Sequence, residues 1–184
     1  MRNVYFVGKA GSGKSYCAKY LSLTYGYIPV KFANPVYYIA EHLLGMRGKD
    51  RKLLQTIGTT VGREGVEERI WVKRFCEDMF MAQKTAEILN IELPPRVVDD
   101  CRYPNEQRAL KRMGWVGIYL DCPDDLRSIR LGRRDGVVDE GDLKHDSEQV
   151  VDLLVGDVVH IDASGTLSEM FKNLEAILDS EVKE

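Results

Sequence analysis

Along the chain, short apolar runs alternate with longer stretches whose apolar residues recur at helical spacing. Five runs read as strands: residues 3–7, 27–32, 96–99, 116–120 and 158–161. Each is rich in Val, Ile, Tyr or Phe and nearly continuous in apolar character. A strand covered on both faces reads that way, whereas a half-exposed one alternates. Strands separated by helical stretches imply right-handed crossovers and therefore a parallel sheet.

The helical stretches carry their own start and stop signals. Asn34 followed by Pro35 predicts a helix opening toward Leu44, with Asn34 as its cap and Pro at the first turn. Thr166 with Glu169 forms a capping-box pattern ahead of Leu167, Met170, Leu174 and Ile177, which share one helical face. A long helical pattern over residues 67–89 must end before Pro94-Pro95. Residues 132–145 are Gly-rich and charged without apolar periodicity, which predicts a mobile loop inside one domain. No internal repeat or low-complexity segment interrupts the pattern, and 184 residues suffice for a single domain with its own core.

Charge narrows the range of partners. Lys and Arg total 26 against 29 Asp and Glu, a formal net charge of -3. A protein that binds duplexes needs a basic excess to neutralise phosphates, so polymeric nucleic acid is excluded as the main partner. A small phosphorylated ligand needs only a few local cations. No apolar run reaches transmembrane length, and the apolar patch at residues 4–7 passes directly into Gly8, as a strand entering a loop does. No membrane partner is expected. Cys17, Cys76, Cys101 and Cys122 form no CxxC pair and have no His at ligand spacing. They read as reduced thiols of a cytoplasmic protein.

The strongest chemical signal is Gly8-Lys9-Ala10-Gly11-Ser12-Gly13-Lys14-Ser15, which satisfies G-x-x-x-x-G-K-[ST] between an apolar strand and a helical stretch. Gly8, Gly11 and Gly13 let the backbone turn tightly, so that N–H groups of the loop, Ala10 and Ser12 included, face phosphate oxygens. The helix that follows, starting near Tyr16, adds its positive end. Lys14 is expected to bridge the β- and γ-phosphates of ATP, and the Ser15 hydroxyl to coordinate Mg²⁺. An acid at the end of a neighbouring strand should stand near that metal. Asp99 and Asp100 close the run Arg96-Val97-Val98, and alternation along a strand allows only one of them to aim at the ion. The other reading of the pair is a turn or helix start.

Two sets of arginines complete the pattern. Arg102 follows the acids at the carboxyl end of a strand, where open α/β sheets bind ligands. There it suits bidentate capture of a substrate phosphate, the alternative being a surface ion pair with Glu106. Arg127, Arg130, Arg133 and Arg134 adjoin the loop at 132–145, and the first three share a helical face. Such a group suits a lid over transferring phosphates, with Arg130 and Arg134 as catalytic cations and Arg130 also on ATP. Its plain alternative is a solvated basic face. His145-Asp146-Ser147-Glu148 closes the loop, with Asp146 readable as a helix cap. A GTPase switch is excluded: no NKxD occurs, and the DxxG at residues 162–165 follows the fifth strand, too late for a γ-phosphate switch.

In order along the chain, these segments resemble the phage-type deoxynucleoside monophosphate kinases, within the wider nucleoside monophosphate kinase group. The resemblance rests on the loop at 8–15, Lys31-Phe32-Ala33-Asn34-Pro35, Leu54-Gln55-Thr56-Ile57-Gly58-Thr59, Gly62-Arg63, Trp71, Asp100-Cys101-Arg102-Tyr103-Pro104-Asn105-Glu106, the arginines at 127–134 and residues 145–148. It implies an α/β, three-layer P-loop kinase fold with a five-stranded parallel sheet in the order 2-3-1-4-5. It also implies a single domain with a helical acceptor-binding region at about 33–95 and a lid at about 130–147. ATP with Mg²⁺ would sit at the loop, with Arg63 and Arg102 on the acceptor phosphate. Phe32, Tyr37 and Trp71 would shape the base pocket, Asp100 and Glu148 would lie on the substrate, and residues 163–166 near adenine. Trp71, at helical spacing with Phe75 and Met79, reads equally as core. Asn34 and Thr60 stand where the family pattern has acids, a departure that bears on acceptor identity. The expected activity is phosphorylation of a nucleoside monophosphate to the diphosphate. The partners are small-molecule nucleotides, the chain is a monomer or homodimer, and its place is the cytoplasm, a host's if phage-encoded. The rivals are a kinase of another phosphorylated small molecule, of dephospho-coenzyme A or phosphomevalonate type, and a non-catalytic ATP-binding module.

Overall fold

In the computed structural model, which describes residues 1–135, 150–156 and 158–181, every apolar run contains a strand. They are β1 (Val4–Val7), β2 (Ile28–Pro29), β3 (Arg96–Val98), β4 (Val116–Asp121) and β5 (Val159–Asp162). All pair in parallel in the order β2-β3-β1-β4-β5, the order that the resemblance implies. β1 lies at the centre, with Val4 beside both Val97 and Val116. Its four residues are wholly buried, which is why the run shows no alternation. Truncating Phe6 to Ala would leave a cavity costing about 3–5 kcal/mol.

Two compact units divide the chain: Met1–Val30 with Pro94–Glu184, and Lys31–Leu93. The first holds the sheet and its covering helices. These are α1 (Lys14–Tyr25), α5 (Pro104–Arg112), α6 (Asp124–Asp135) and α7 (Leu167–Glu181). Its core joins Val4, Phe6, Ile118, Leu120 and Ile161 of the sheet to Leu21 of α1 and Met170 and Leu174 of α7. Helix α1 ends at Gly26, whose left-handed φ of 72° lets its N–H reach back to the Leu21 carbonyl. The capping box at α7 forms as expected: Glu169 accepts from the Thr166 N–H at 2.8 Å, and the Glu169 N–H donates to Thr166 Oγ1 at 3.3 Å.

The second unit is helical: α2 (Asn34–Tyr38), α3 (Arg51–Gln55) and α4 (Ile70–Leu89), with π-helical segments at Ile39–Leu43 and Thr56–Val66. Val36, Ala40, Ile57 and Trp71 form its small core.

Several expected boundaries shift. The run at 27–32 yields only a two-residue strand, because the chain turns after Val30 and the Asn34 N–H bonds back to the Lys31 carbonyl at 3.3 Å. Asn34 does not cap its helix: Ala33 holds the cap position, and no side chain bonds there. The stretch toward Leu44 widens into a π-turn after Tyr38. The long helix starts at Ile70 rather than near 67, and stops at Asn90 in a left-handed conformation (φ 51°) before the prolines act. Residues 132–135, expected in a loop, continue α6; residues 136–149 lie outside the described residues.

Candidate phosphate-binding site

All five strands run the same way, so the segments after β1, β3, β4 and β5 leave the sheet at one edge. These segments carry the phosphate loop, Asp99, Cys122 and Ala163.

The loop leaves β1 at Gly8, with φ 147°, and enters α1 through Gly13, with φ 105°. A Cβ added at Gly8 would stand 2.8 Å from Ser12 Oγ and 3.0 Å from the Leu120 carbonyl oxygen. Both conformation and space therefore require glycine there. Lys14 is buried and curls back: its Nζ donates to the Gly8 carbonyl and, at 2.9 Å, to that of Lys9. Ser12 is fully buried, and among the described residues its hydroxyl has no hydrogen-bond partner. An orphan donor inside a backbone cradle costs free energy unless something accepts from it. A phosphate oxygen is an acceptor of the right kind. Tyr16, in the first turn of α1, is largely exposed.

Across the sheet, Ser15 Oγ donates to Asp99 Oδ2 at 2.7 Å. That contact places Asp99 beside the loop. A hydroxyl and a carboxylate so joined are both hard oxygen ligands, which suits Mg²⁺. Among the described residues no group of three His, Cys, Asp or Glu side chains gathers into a metal cage. The two oxygens fit an ion whose other ligands are water and phosphate. Next to Asp100, the Cys101 thiol is fully buried, and loss of water pushes its pKa well above the ordinary range, helped by the Glu106 and Asp100 charges. It is an inert thiol, and all four cysteines are unpaired.

Glu106 is buried and closes the start of α5 by accepting the backbone N–H groups of Arg102 at 2.7 Å and Tyr103 at 3.1 Å. Through these two bonds Glu106 caps the backbone at the start of α5. It holds the Asp100–Arg102 turn in place.

No family profile matches the chain, and no curated protein does. Solved structures match it over nearly their whole length. A gluconokinase from Sinorhizobium meliloti aligns with TM-score 0.56 and 16% identity, over 99% of this chain and 94% of that one. A sugar kinase from Janibacter gives 0.56 and 15%, over 97% and 95%. A shikimate kinase from Acinetobacter baumannii, solved with shikimate, gives 0.55 and 18%, over 98% and 94%. The chain has the P-loop kinase fold. At these identities the likeness is one of fold.

Within this P-loop kinase fold, the arginines expected to form one group have separate surroundings. Arg127 is buried and bonds to Asp124 and to the Ala10 carbonyl. Arg130 donates to the carbonyls of Ala163 at 2.9 Å and Gly165 at 3.1 Å, and lies 3.3 Å from Cys122 Sγ. Arg133 is exposed on α6. Arg134 lies in α6, its side chain outside the described part; Glu148 and the 145–148 segment are outside it entirely. The contacts of Arg127 and Arg130 escaped the sequence because they are made to backbone carbonyls, which leave no residue-type signal. Only the Asp124/Arg127 spacing of three hinted at one of them.

In the second unit, Phe32 is buried with its ring 4.3 Å from that of Phe75. Tyr37 is half-buried in α2. Arg63 lies in the Thr56–Val66 segment, its guanidinium 3.4 Å from the Glu68 carbonyl. Trp71 is 7% exposed, and its indole N–H donates to the Gly58 carbonyl at 2.7 Å. Its ring covers Gly62, where a Cβ would come within 2.4 Å of it. Of the two readings of Trp71, these contacts favour the core one.

Among the described residues no helix is long and apolar enough to cross a membrane.

Proposed function

We propose that the protein transfers the γ-phosphoryl of ATP to the phosphate of a nucleoside monophosphate, deoxyribonucleotides included. The observation that carries the phosphotransfer reading is the 2.7 Å bond from Ser15 to Asp99 beside a loop whose lysine and orphan serine hydroxyl face its own turn. The acceptor assignment rests on Arg63, Arg102 and the order of segments along the chain.

In this reading the N–H groups of residues 8–13 and the Ser12 hydroxyl hold the β- and γ-phosphates. Lys14 exchanges its carbonyl partners for phosphate oxygens. Ser15 and Asp99 would hold Mg²⁺, with Asp100 adjacent in sequence, and the ion would neutralise charge on the phosphates. Arg102 and Arg63 grip the acceptor phosphate and align it. Arg130, tied to the turn at 163–165, lies beside the donor nucleotide, with Arg134 further along α6. The acceptor oxygen is already anionic at neutral pH, so no general base is needed.

The test is ATP consumption with Mg²⁺ against a panel of ribo- and deoxyribonucleoside monophosphates, with gluconate and shikimate alongside. The expected result is diphosphate formation from one or a few monophosphates. The names of the structural neighbours favour one second reading, transfer to a hydroxyl of a small acid. Turnover with such an acid alone would establish it and remove the first.

A further inference from the structure

The sequence places Arg127 among phosphate-facing cations, but its contacts point elsewhere. Its side chain is 8% exposed. Nε and Nη2 donate to Asp124 Oδ1 at 3.1 and 2.7 Å, while Nη1 donates to the Ala10 carbonyl at 2.8 Å. Asp124 sits in the first turn of α6, mostly exposed, and its carboxyl is held below the usual range, chiefly by the Arg127 hydrogen bond. The first turn of α6 thus clamps a guanidinium and aims its remaining fork at the phosphate loop. Contact continues at the next residue. Gly11 has φ 83°, and a Cβ there would meet the Arg127 carbonyl oxygen at 2.8 Å and Leu131 Cγ at 3.1 Å.

A trans peptide is planar, with its C=O and N–H pointing opposite ways. Ala10 C=O and Gly11 N–H belong to one peptide. Fixing the carbonyl toward α6 therefore fixes the Gly11 N–H away from it. We propose that Arg127 is a positioning residue that sets the 10–11 peptide plane, so that the Gly11 N–H faces into the cradle before a triphosphate arrives. Without it, that peptide can flip and present a carbonyl oxygen to the phosphate tail. This rests on the reading of residues 8–15 as an ATP cradle, and it is independent of which acceptor is used.

The geometry makes the role selective. It concerns donor affinity, because the guanidinium is engaged with Asp124 and Ala10. Lysine, with a single charged nitrogen, cannot bridge both in the fork geometry of arginine.

The experiment measures ATP affinity by calorimetric titration without acceptor, then KM for ATP, KM for the acceptor and kcat, in the wild type, Arg127→Met, Arg127→Lys and Asp124→Asn. Losing one charge-assisted bond and its orienting effect predicts a rise of roughly tenfold in Kd and KM for ATP for Arg127→Met. The acceptor KM should stay constant, and kcat should change less than KM. Arg127→Lys should fall between wild type and Met, and Asp124→Asn should give the smallest rise. Loss of kcat at unchanged ATP KM would overturn the proposal and return Arg127 to the transferring phosphates. Unchanged ATP affinity in Arg127→Met, with thermal unfolding preserved, would overturn it too. If Arg127→Met fails to fold, wild-type affinity in Arg127→Lys and Asp124→Asn serves as the refutation. Should the wild type bind ATP yet act on no nucleoside monophosphate, the acceptor reading fails while the titration still decides this one. If the wild type binds no ATP, both fall.

Discussion

The loop at residues 8–15 and the π-helical segment Thr56–Val66 both depend on glycine, and they use it for opposite purposes. In the loop, Gly8, Gly11 and Gly13 adopt positive φ so that backbone dipoles converge on one point. Around that point the polar groups are fixed: Lys14 by two carbonyls, Ser15 by Asp99, Ala10 by Arg127. In the π-segment, Gly62 has no positive φ. It is glycine because the Trp71 ring lies where a Cβ would be. There the Trp71 indole is tied to the Gly58 carbonyl at 2.7 Å, and the Arg63 guanidinium reaches the Glu68 carbonyl at 3.4 Å. One region is organised by electrostatics within a backbone turn, the other by packing around an indole. Substitutions in the loop should therefore act on phosphotransfer more than on stability, and substitutions in the π-segment on stability first.

Lys14→Met removes the central cation of the loop. Transfer should fall by about a hundredfold or more, as when a transition-state donor is deleted, while thermal unfolding stays close to wild type. Unchanged turnover would break the comparison at its stronger end. Gly62→Ala attacks the packed region instead. Its methyl meets the Trp71 ring at 2.4 Å, and forced displacement in a packed core costs about 1–3 kcal/mol. Denaturant unfolding should show that loss, with ATP affinity intact. Trp71→Phe keeps an aromatic ring but leaves the Gly58 carbonyl without its indole donor, at a cost of about 1 kcal/mol. If instead it raised the acceptor KM with no loss of stability, Trp71 would belong to the substrate.

The smallest effect is one of pH, and it involves other residues. Tyr20 and Tyr25 of α1 both donate to Glu175 of α7, and Tyr20 stacks on Phe171 with ring centroids 4.1 Å apart. The bond to Glu175 comes first among the causes that raise the Tyr25 phenol to about 12, followed by loss of water and the carboxylate charge. A phenol raised in the folded state stabilises fully below its ordinary pKa of about 10, and that contribution disappears as pH rises through about 12. Thermal unfolding temperatures should fall across this alkaline window in the wild type, and less steeply in Tyr25→Phe. Equal slopes would show that the α1–α7 tie does not couple to titration.

Much of the molecule could be read from the chain because the relevant signals are local. A fully buried strand must be continuously apolar, which marked Val4–Val7 and Val97-Val98. The loop could be read because its conformation demands glycines at fixed spacing. The capping box at Thr166 could be read because both partners lie within one turn. The π-helical widening after Tyr38 and over Thr56–Val66 could not, since α and π turns share residue preferences and differ in what packs against them.

The amino-acid order by itself determined the parallel sheet, its helical covers and the phosphate loop, because each follows from spacing within a few residues. It left Asp99 and Asp100 side by side at the end of β3 and collected the arginines into one group. Only the tertiary structure brought Asp99 to the Ser15 hydroxyl, took Arg127 from the group to a loop carbonyl, and turned Trp71 inward onto Gly58. Those choices depend on partners 84, 117 and 13 residues away. Two of the three partners are backbone carbonyls, which every residue carries, so no pattern of residue types could have revealed them.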